Sequence, residues 1–242
     1  MSKRGYEQLG VAMTCRSFAE YVKMFALEEL DSRQGPVLDV AAGASSFTAE
    51  ANAKGLQAYA ADPMYAMNEE RIFAHGLNEI EVSTAKLAAL RDIFDWSYYG
   101  TLEHHREMRE QSLSRFIDDY RQHREKGRYV ESGLPQLPFA DNTFSLVLCS
   151  HFLFLYNEQF DYEFHLHAVR ELLRVCRPGG QVRLYPLKSL QWDYYPHMDR
   201  LLEALKSEAK CQFMESRLPF IPGSGELLSL VKQGNRRDVD NF

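Results

Sequence analysis

The stretch from Gly35 to Asp62 constrains the fold more than any other part of the chain. Val37-Leu38-Asp39-Val40 is a short apolar run that opens into the small residues Ala41-Ala42-Gly43-Ala44-Ser45-Ser46. A helical pattern through Phe47 and Ala51 follows and stops at Gly55; a second apolar run, Leu56 to Ala61, ends at Asp62, with Pro63 marking the exit from the strand. Strand, tight turn, helix and strand over residues 36–62 make a β-α-β unit, whose crossover is right-handed by the general rule. Such a unit belongs to a parallel sheet covered on both faces.

The rest of the chain extends that pattern. Phe18, Tyr21, Val22 and Phe25 recur at helical spacing behind Thr14 or Ser17, which predicts an amphipathic helix over about 15–30. No strand candidate occurs between Tyr65 and Arg128. This is read as a helical insertion, 65–128, in which Leu113, Phe116, Ile117 and Tyr120 form one apolar face. Short strands are predicted at 128–130, 144–149 and 181–185, with a helix through Val169, Leu172, Leu173 and Cys176 that ends at Arg177-Pro178-Gly179-Gly180. A helix at 198–205 and an antiparallel strand pair, 212–215 and 227–231, close the pattern, and 234–242 reads as a frayed tail. The expected architecture is α/β: a Rossmann-like, doubly wound, mostly parallel seven-stranded sheet with an antiparallel last strand, in a single domain over 1–242.

Composition narrows the function classes. Apolar residues make up 45% and charged residues 26% of 242, enough for a real core. No apolar run is long enough to cross a bilayer and the first ten residues lack a signal-peptide core, so a cytoplasmic protein without a membrane partner is expected. The formal net charge of −6 disfavours a nucleic acid partner. From 101 to 128, seven Lys or Arg stand against six Asp or Glu, so the insertion is not a basic arm. The four cysteines lack C-x-x-C spacing, and neither His104-His105 nor His165 with His167 makes a metal pair; no metal is assigned.

Ligands of such sheets bind at the carboxyl ends of the strands near the switch in strand order. The small residues after Val40 let a ligand approach the backbone and meet free amides at the helix start. Asp62, 23 residues beyond Asp39, is placed to accept hydrogen bonds from a ribose diol.

Val37 to Ser45 resembles the glycine-rich first motif of class I S-adenosylmethionine-dependent methyltransferases. Leu137-Pro138-Phe139-Ala140-Asp141-Asn142-Thr143-Phe144-Ser145-Leu146-Val147 resembles their loop and fourth strand, and Glu171 to Gly180 their helix and turn before the fifth. Leu148 to Tyr156 is similar to type-11-like bacterial members of the group. Two of the motif's usual glycines are here Ala41 and Ser45, and alanine is tolerable if its φ stays negative. The acid that often meets the adenine amino group aligns with Gly133, so adenine would be held by backbone near Leu134, and the Asp of the fourth strand's F-D pair is Ser145. The resemblance implies S-adenosylmethionine as cofactor, S-adenosylhomocysteine as product and in-line methyl transfer; a small-molecule substrate is the leading expectation, and the insertion, far longer than an ordinary connection, is expected to act as a lid that selects it. The resemblance also implies cofactor contacts from Asp39, Ala41, Gly43, Asp62, Pro63, Met64, Gly133, Leu134, Cys149 and Ser150, with Arg16 and Tyr21 closing over the carboxylate end or simply lying solvated and half-buried.

His151, just past the fourth strand, stands where a general base would, or is a histidine held by a strand-end hydrogen bond. Trp96, Tyr98, Tyr99 and Tyr156 are substrate candidates; the aromatics of the insertion, Phe94, Trp96, Tyr98 and Tyr99, either roof a pocket or pack the insertion down. A non-catalytic nucleoside-binding module and a nucleic acid methyltransferase are the competing readings. No Asn-Pro-Pro-Tyr element follows the fourth strand, and without a G-x-G-x-x-G run a dinucleotide oxidoreductase is weaker still.

Overall fold

The β-α-β unit lies at the centre of the sheet. In the computed structural model, which describes residues 6, 8, 10–27 and 34–234, β1 (Val37–Val40) and β2 (Ala58–Ala61) pair in parallel across α2 (Phe47–Ala53). All four residues of β1 are buried. Then follow α3 (Glu69–Ala89), α4 (Leu102–His123), β3 (Tyr129–Val130), β4 (Phe144–Ser150), α5 (Tyr162–Val175), β5 (Cys176–Tyr185), α6 (Met198–Leu205), β6 (Ala209–Glu215) and β7 (Glu226–Lys232). The strand order is β3-β2-β1-β4-β5-β7-β6, with β7 antiparallel to both neighbours. Chain order reverses between β1 and β4, which opens a crevice at their carboxyl ends.

Three boundaries that differ from expectation are the two ends of the first helix and the start of β5. The first helix, α1 (Phe18–Phe25), is shorter: Ser17 starts it through a capping box with Glu20, and Ala26, at φ 51°, ends it. Residues 28–33 lie outside the described residues, as does the expected frayed tail from 235 onward. The third is β5, which begins at Cys176, and its ladder with β4 jumps from Phe144–Cys176 to Leu146–Gln181. Arg177–Gly180 therefore loop out of the ladder, where Pro178 has no amide to donate.

The insertion is a pair of long helices. Leu113, Phe116, Ile117 and Tyr120 are buried on one face of α4. Phe116 and Tyr120 join Tyr65 and Tyr129 in a cluster with ring centroids 5.3 to 5.9 Å apart. The Tyr120 hydroxyl donates to the carbonyls of Tyr65 and Met67, so the hairpin is fixed to the exit from β2. Where α3 crosses α4, Gly76 is buried; a Cβ there would come within 2.7 Å of both Leu113 methyls and 3.0 Å of the Met13 Cε.

Alanine in a helix normally gains about 0.5–1 kcal/mol over glycine. Because Leu113 is fully buried and cannot swing away, Gly76→Ala should instead lose about 1–3 kcal/mol of stability. Thermal unfolding checks this, with a fall of roughly 2–4 °C per kcal/mol expected at this chain length.

Candidate active site

The turn after β1 is held from above by residues that precede α1. Ala44 N donates to Thr14 O at 3.1 Å, Ser46 N to Arg16 O at 3.0 Å, and Ser45 Oγ to Arg16 O at 2.7 Å. Gly43 N donates to Asp62 Oδ2 at 2.9 Å, and Phe47 N to Ser45 Oγ at 3.1 Å. The expectation of free amides at this helix start is therefore corrected: protein acceptors take them. The strap also explains Gly43. At φ +57°, a Cβ there would lie 2.9 Å from Thr14 O and 3.1 Å from Thr14 N, so the glycine makes room for backbone of its own chain. Ala41 stands at φ 54°. The condition of negative φ is not met, and this alanine carries the strain of a left-handed L-residue.

Two cavities meet at the strap. The first, about 390 Å³, lies over the carboxyl ends of β1 and β2 and is lined by Ala41, Gly43, Asp62, Pro63, Met64, Gly133, Leu134 and Ser150, with Phe152, Phe160 and Phe164 on the far side. The second, about 120 Å³, lies between α3, α4 and the segment after β5, with apolar walls from Leu87, Phe94, Leu155, Trp192, Phe220 and Ile221. Ala12, Met13, Thr14 and His151 line both. The strap is tied across this junction, since Ala12 N donates to the Tyr156 hydroxyl at 2.9 Å.

A family model for a methyltransferase domain matches residues 109–184, from within α4 to the end of β5. An uncharacterised protein of Methanocaldococcus jannaschii is 31% identical over 214 residues, 88% of this chain and 92% of that one. The chain belongs to the class I S-adenosylmethionine-dependent methyltransferases. Solved structures like it include an S-adenosylmethionine-dependent methyltransferase from Aquifex aeolicus, 14% identical with a TM-score of 0.44 over 87% of this chain and 90% of that one. Another is the 1,6-didemethyltoxoflavin-N1-methyltransferase of Burkholderia thailandensis, solved with 1,6-didemethyltoxoflavin and S-adenosylhomocysteine, 13% identical with a TM-score of 0.46 over 82% and 71%.

The cofactor of this methyltransferase is S-adenosylmethionine, and the larger cavity fits it. Its volume is within the roughly 300–1,000 Å³ of ligand clefts. Asp62 accepts one backbone amide on each oxygen, Gly43 N on Oδ2 and Met64 N on Oδ1. A carboxylate has about four acceptor sites, so each oxygen can take a ligand hydroxyl as well. Burial holds the Asp62 carboxyl above the usual range, and the hydrogen bonds from Met64 N and Gly43 N offset part of that rise.

Several expected contacts do not line the cleft. Asp39 is fully buried beneath the turn, where burial pushes its acid well up, and Cys149 is buried beside it. Tyr21 stacks on Phe47 at 4.5 Å and closes over nothing. Gly133 does line the cleft, with its missing side chain directed at Pro63, whose Cγ would be 2.9 Å from a Cβ. Arg16 lies just before α1 and faces the smaller chamber. Of the substrate candidates, Tyr156 lines that chamber, but Trp96, Tyr98 and Tyr99 do not. Trp96 and Tyr99 pack on Phe220 and His105, and the Trp96 Nε1 donates to Arg91 O at 2.7 Å. Phe94, one of the insertion aromatics expected to roof a pocket or pack the insertion down, does line the chamber, whereas sequence reasoning missed Trp192 and Phe220, because the wall they form with Phe94 joins segments more than ninety residues apart.

His151 is a positioned residue. At φ 52° it turns the chain out of β4, a strained placement of the kind that clusters at functional sites. Arg16 Nη2 donates to its Nε2 at 3.0 Å, which leaves the ring proton on Nδ1, 2.7 Å from Ser150 Oγ. Its basic lone pair is thus engaged by a guanidinium; burial, Arg16 and Arg109 hold its pKa well below the usual histidine value. The arrangement corresponds to a histidine held by hydrogen bonds rather than a free general base. His105, also in the chamber wall, is pushed down to about 2 by burial and then by Arg109 and Arg16.

Both rings are neutral when folded but protonate near 6.5 in the unfolded chain. Below pH 6.5 the unfolded state binds more protons, so their share of stability, complete above 6.5, falls as the solution is acidified. His105→Gln should make the loss of stability between pH 6.5 and 5 shallower by about 1.4 kcal/mol per pH unit, read from denaturant unfolding at several pH values. A second variant probes the strained turn: Ala41→Gly should raise stability by up to about 1 kcal/mol, measured by thermal unfolding.

Proposed function

We propose that this methyltransferase acts on a compact small molecule, held in the chamber walled by the α3–α4 insertion while the cofactor occupies the adjoining cleft. The observation that carries this reading is the shared wall: Ala12, Met13, Thr14 and His151 border both cavities, so groups from the two sides meet there and nowhere else among the described residues. Asp62 would receive the ribose hydroxyls, Leu134 and Pro63 would flank the base, and Ala41 and Gly43 would form the floor. When bound, the cofactor supplies a methyl group on a sulfonium that is already reactive, so the protein's task is largely alignment of the acceptor. The strap and His151 fix where the acceptor ends, and apolar walls exclude water from the junction.

The smaller chamber favours a small acceptor over a macromolecular one. About 120 Å³ is close to the roughly 150 Å³ cavity that takes one benzene. With a net charge of −6, the chain also lacks the positive balance that usually accompanies polynucleotide binding. Ile80, Leu87, His105 and Arg109 of the insertion line the chamber, which supports its role as a lid. If the insertion closes on loading, hydrogen exchange in 69–123 should slow when S-adenosylmethionine is added; protection confined to the turn at 41–46 would make it a scaffold instead.

Asp62→Ala tests the cofactor site. Loss of charge-assisted hydrogen bonds should weaken S-adenosylhomocysteine binding at least about tenfold in calorimetry. It should also cost about 1–3 kcal/mol of stability, because Gly43 N and Met64 N lose their acceptor. Unchanged affinity in a folded variant would overturn the assignment. Cofactor binding without methyl transfer to any compound of a metabolite extract would favour the non-catalytic reading.

A further inference from the structure

Two guanidinium groups and one carboxylate are buried together at the wall of the smaller chamber, and their charges do not balance. Arg16 and Arg109 are 8% and 6% exposed and Glu20 is fully buried. Glu20 has no capacity left. Its Oε2 accepts from Ser17 N and Ser17 Oγ, and its Oε1 from the Tyr99 hydroxyl and Arg109 Nη2, which fills the acceptor sites of a carboxylate. Arg109 also donates to Cys15 O and the Tyr99 hydroxyl. Arg16 donates to the Tyr99 hydroxyl at 3.3 Å and to His151 Nε2 at 3.0 Å, and its Nη1 lies 3.5 Å from Glu20 Oε1, so two guanidiniums share one carboxylate. Each guanidinium has more donors than it uses here, and the Nε of both is buried without an acceptor. The neighbouring histidines are neutral. Glu79, on the α3 wall of the chamber, makes no ion pair with either arginine.

A buried positive charge in excess is costly unless something of opposite sign meets it. Both arginines line the chamber, whose remaining walls are largely aromatic and aliphatic. We propose that the acceptor substrate is a compact carboxylate, its anionic end docked on Arg16 and Arg109 and its apolar body against Phe94, Trp192 and Phe220. A planar carboxylate matches the fork of a guanidinium, and a chamber of about 120 Å³ leaves room for a body near the size of one ring. This inference rests on the reading of the chamber as the acceptor site. Ser150 and Tyr99 act behind the arginines: Ser150 sets the His151 tautomer that receives Arg16, and Tyr99 joins both guanidiniums to Glu20.

Arg16 is the surplus charge, so its loss leaves Arg109 and Glu20 as a neutral pair. Arg16→Met takes the donor from the buried His151 Nε2, so its melting temperature should fall while the variant stays folded at the assay temperature, and Arg16→Lys, which retains the charge, provides a second variant. Calorimetry with saturating S-adenosylhomocysteine compares benzoate with benzamide and phenylacetate with phenylacetamide. At least one acid should bind the native protein about tenfold or more tightly than its amide. That preference should vanish in Arg16→Met and persist in part in Arg16→Lys, with S-adenosylhomocysteine affinity unchanged in both. Equal binding of acids and amides overturns the proposal, and leaves the methyltransferase reading standing as long as S-adenosylhomocysteine binds. Tighter binding of phenyl phosphate than of either acid overturns the carboxylate in favour of a phosphate. Loss of S-adenosylhomocysteine affinity in Arg16→Met also overturns it, by assigning Arg16 to the cofactor. Failure of the native protein to bind S-adenosylhomocysteine strikes the methyltransferase reading itself.

Discussion

The backbone of Thr14 to Arg16 sits on the turn that follows β1, and both cavities take their shape from that seat. Two backbone hydrogen bonds and one from Ser45 hold it in place, and Gly43 has no side chain because Thr14 occupies the space. The same short segment then enters α1, whose second turn of side chains puts Tyr21 and Phe25 beneath the sheet. One strand of backbone is thus the roof of the larger cleft, the wall of the smaller chamber and the lead into a core helix. The turn amides, all donating inward, stabilise this arrangement at the expense of direct amide contacts to a ligand.

The charge cluster depends on that seat as well. Arg16 and Cys15 belong to the strap, and Arg109 reaches Cys15 O from α4. The insertion is therefore tied to the strap by this hydrogen bond, to α1 by the buried Arg109–Glu20 ion pair, and to the sheet by the apolar face of α4. Burial alone would raise the Glu20 carboxyl; Arg109, Arg16 and the hydrogen bonds from Arg109 and Tyr99 outweigh it and take it down to about 2. Removing one partner of such a group strands the others, so buried ion pairs specify an arrangement more than they stabilise it. Here the arrangement is a chamber with a positive pole beside the larger cleft.

The central β-α-β unit, the buried strands, the apolar face of α4 and the antiparallel closing pair are all visible in the amino-acid sequence. They follow from periodicity, turn residues and small-residue runs, which are local properties. The cleft residues from Ala41 to Met64, with Gly133, Leu134 and Ser150, were legible for the same reason: each stands at the end of a recognisable strand, where topology places ligands. Helix limits were less so, because a cap such as Ser17–Glu20 or a looped-out Arg177–Gly180 depends on hydrogen bonds that spacing does not reveal.

The fate of the polar residues lay beyond the reach of local pattern. Tyr99 and Tyr156 look alike as aromatics after a helix or strand, yet one supports a guanidinium pair and the other lines a chamber. His151 reads as a base until Arg16, 135 residues earlier, is seen to occupy its Nε2. Asp39 and Asp62 are both acids at the β-α-β unit, and only burial distinguishes the one under the turn from the one in the cleft. Backbone periodicity specifies which segments form layers, since the spacing of apolar residues is a local property and their burial is non-directional. Hydrogen bonding and charge are directional and join residues far apart in the chain, so the chemistry of the site emerges only when the strap, the insertion and the sheet ends are packed together.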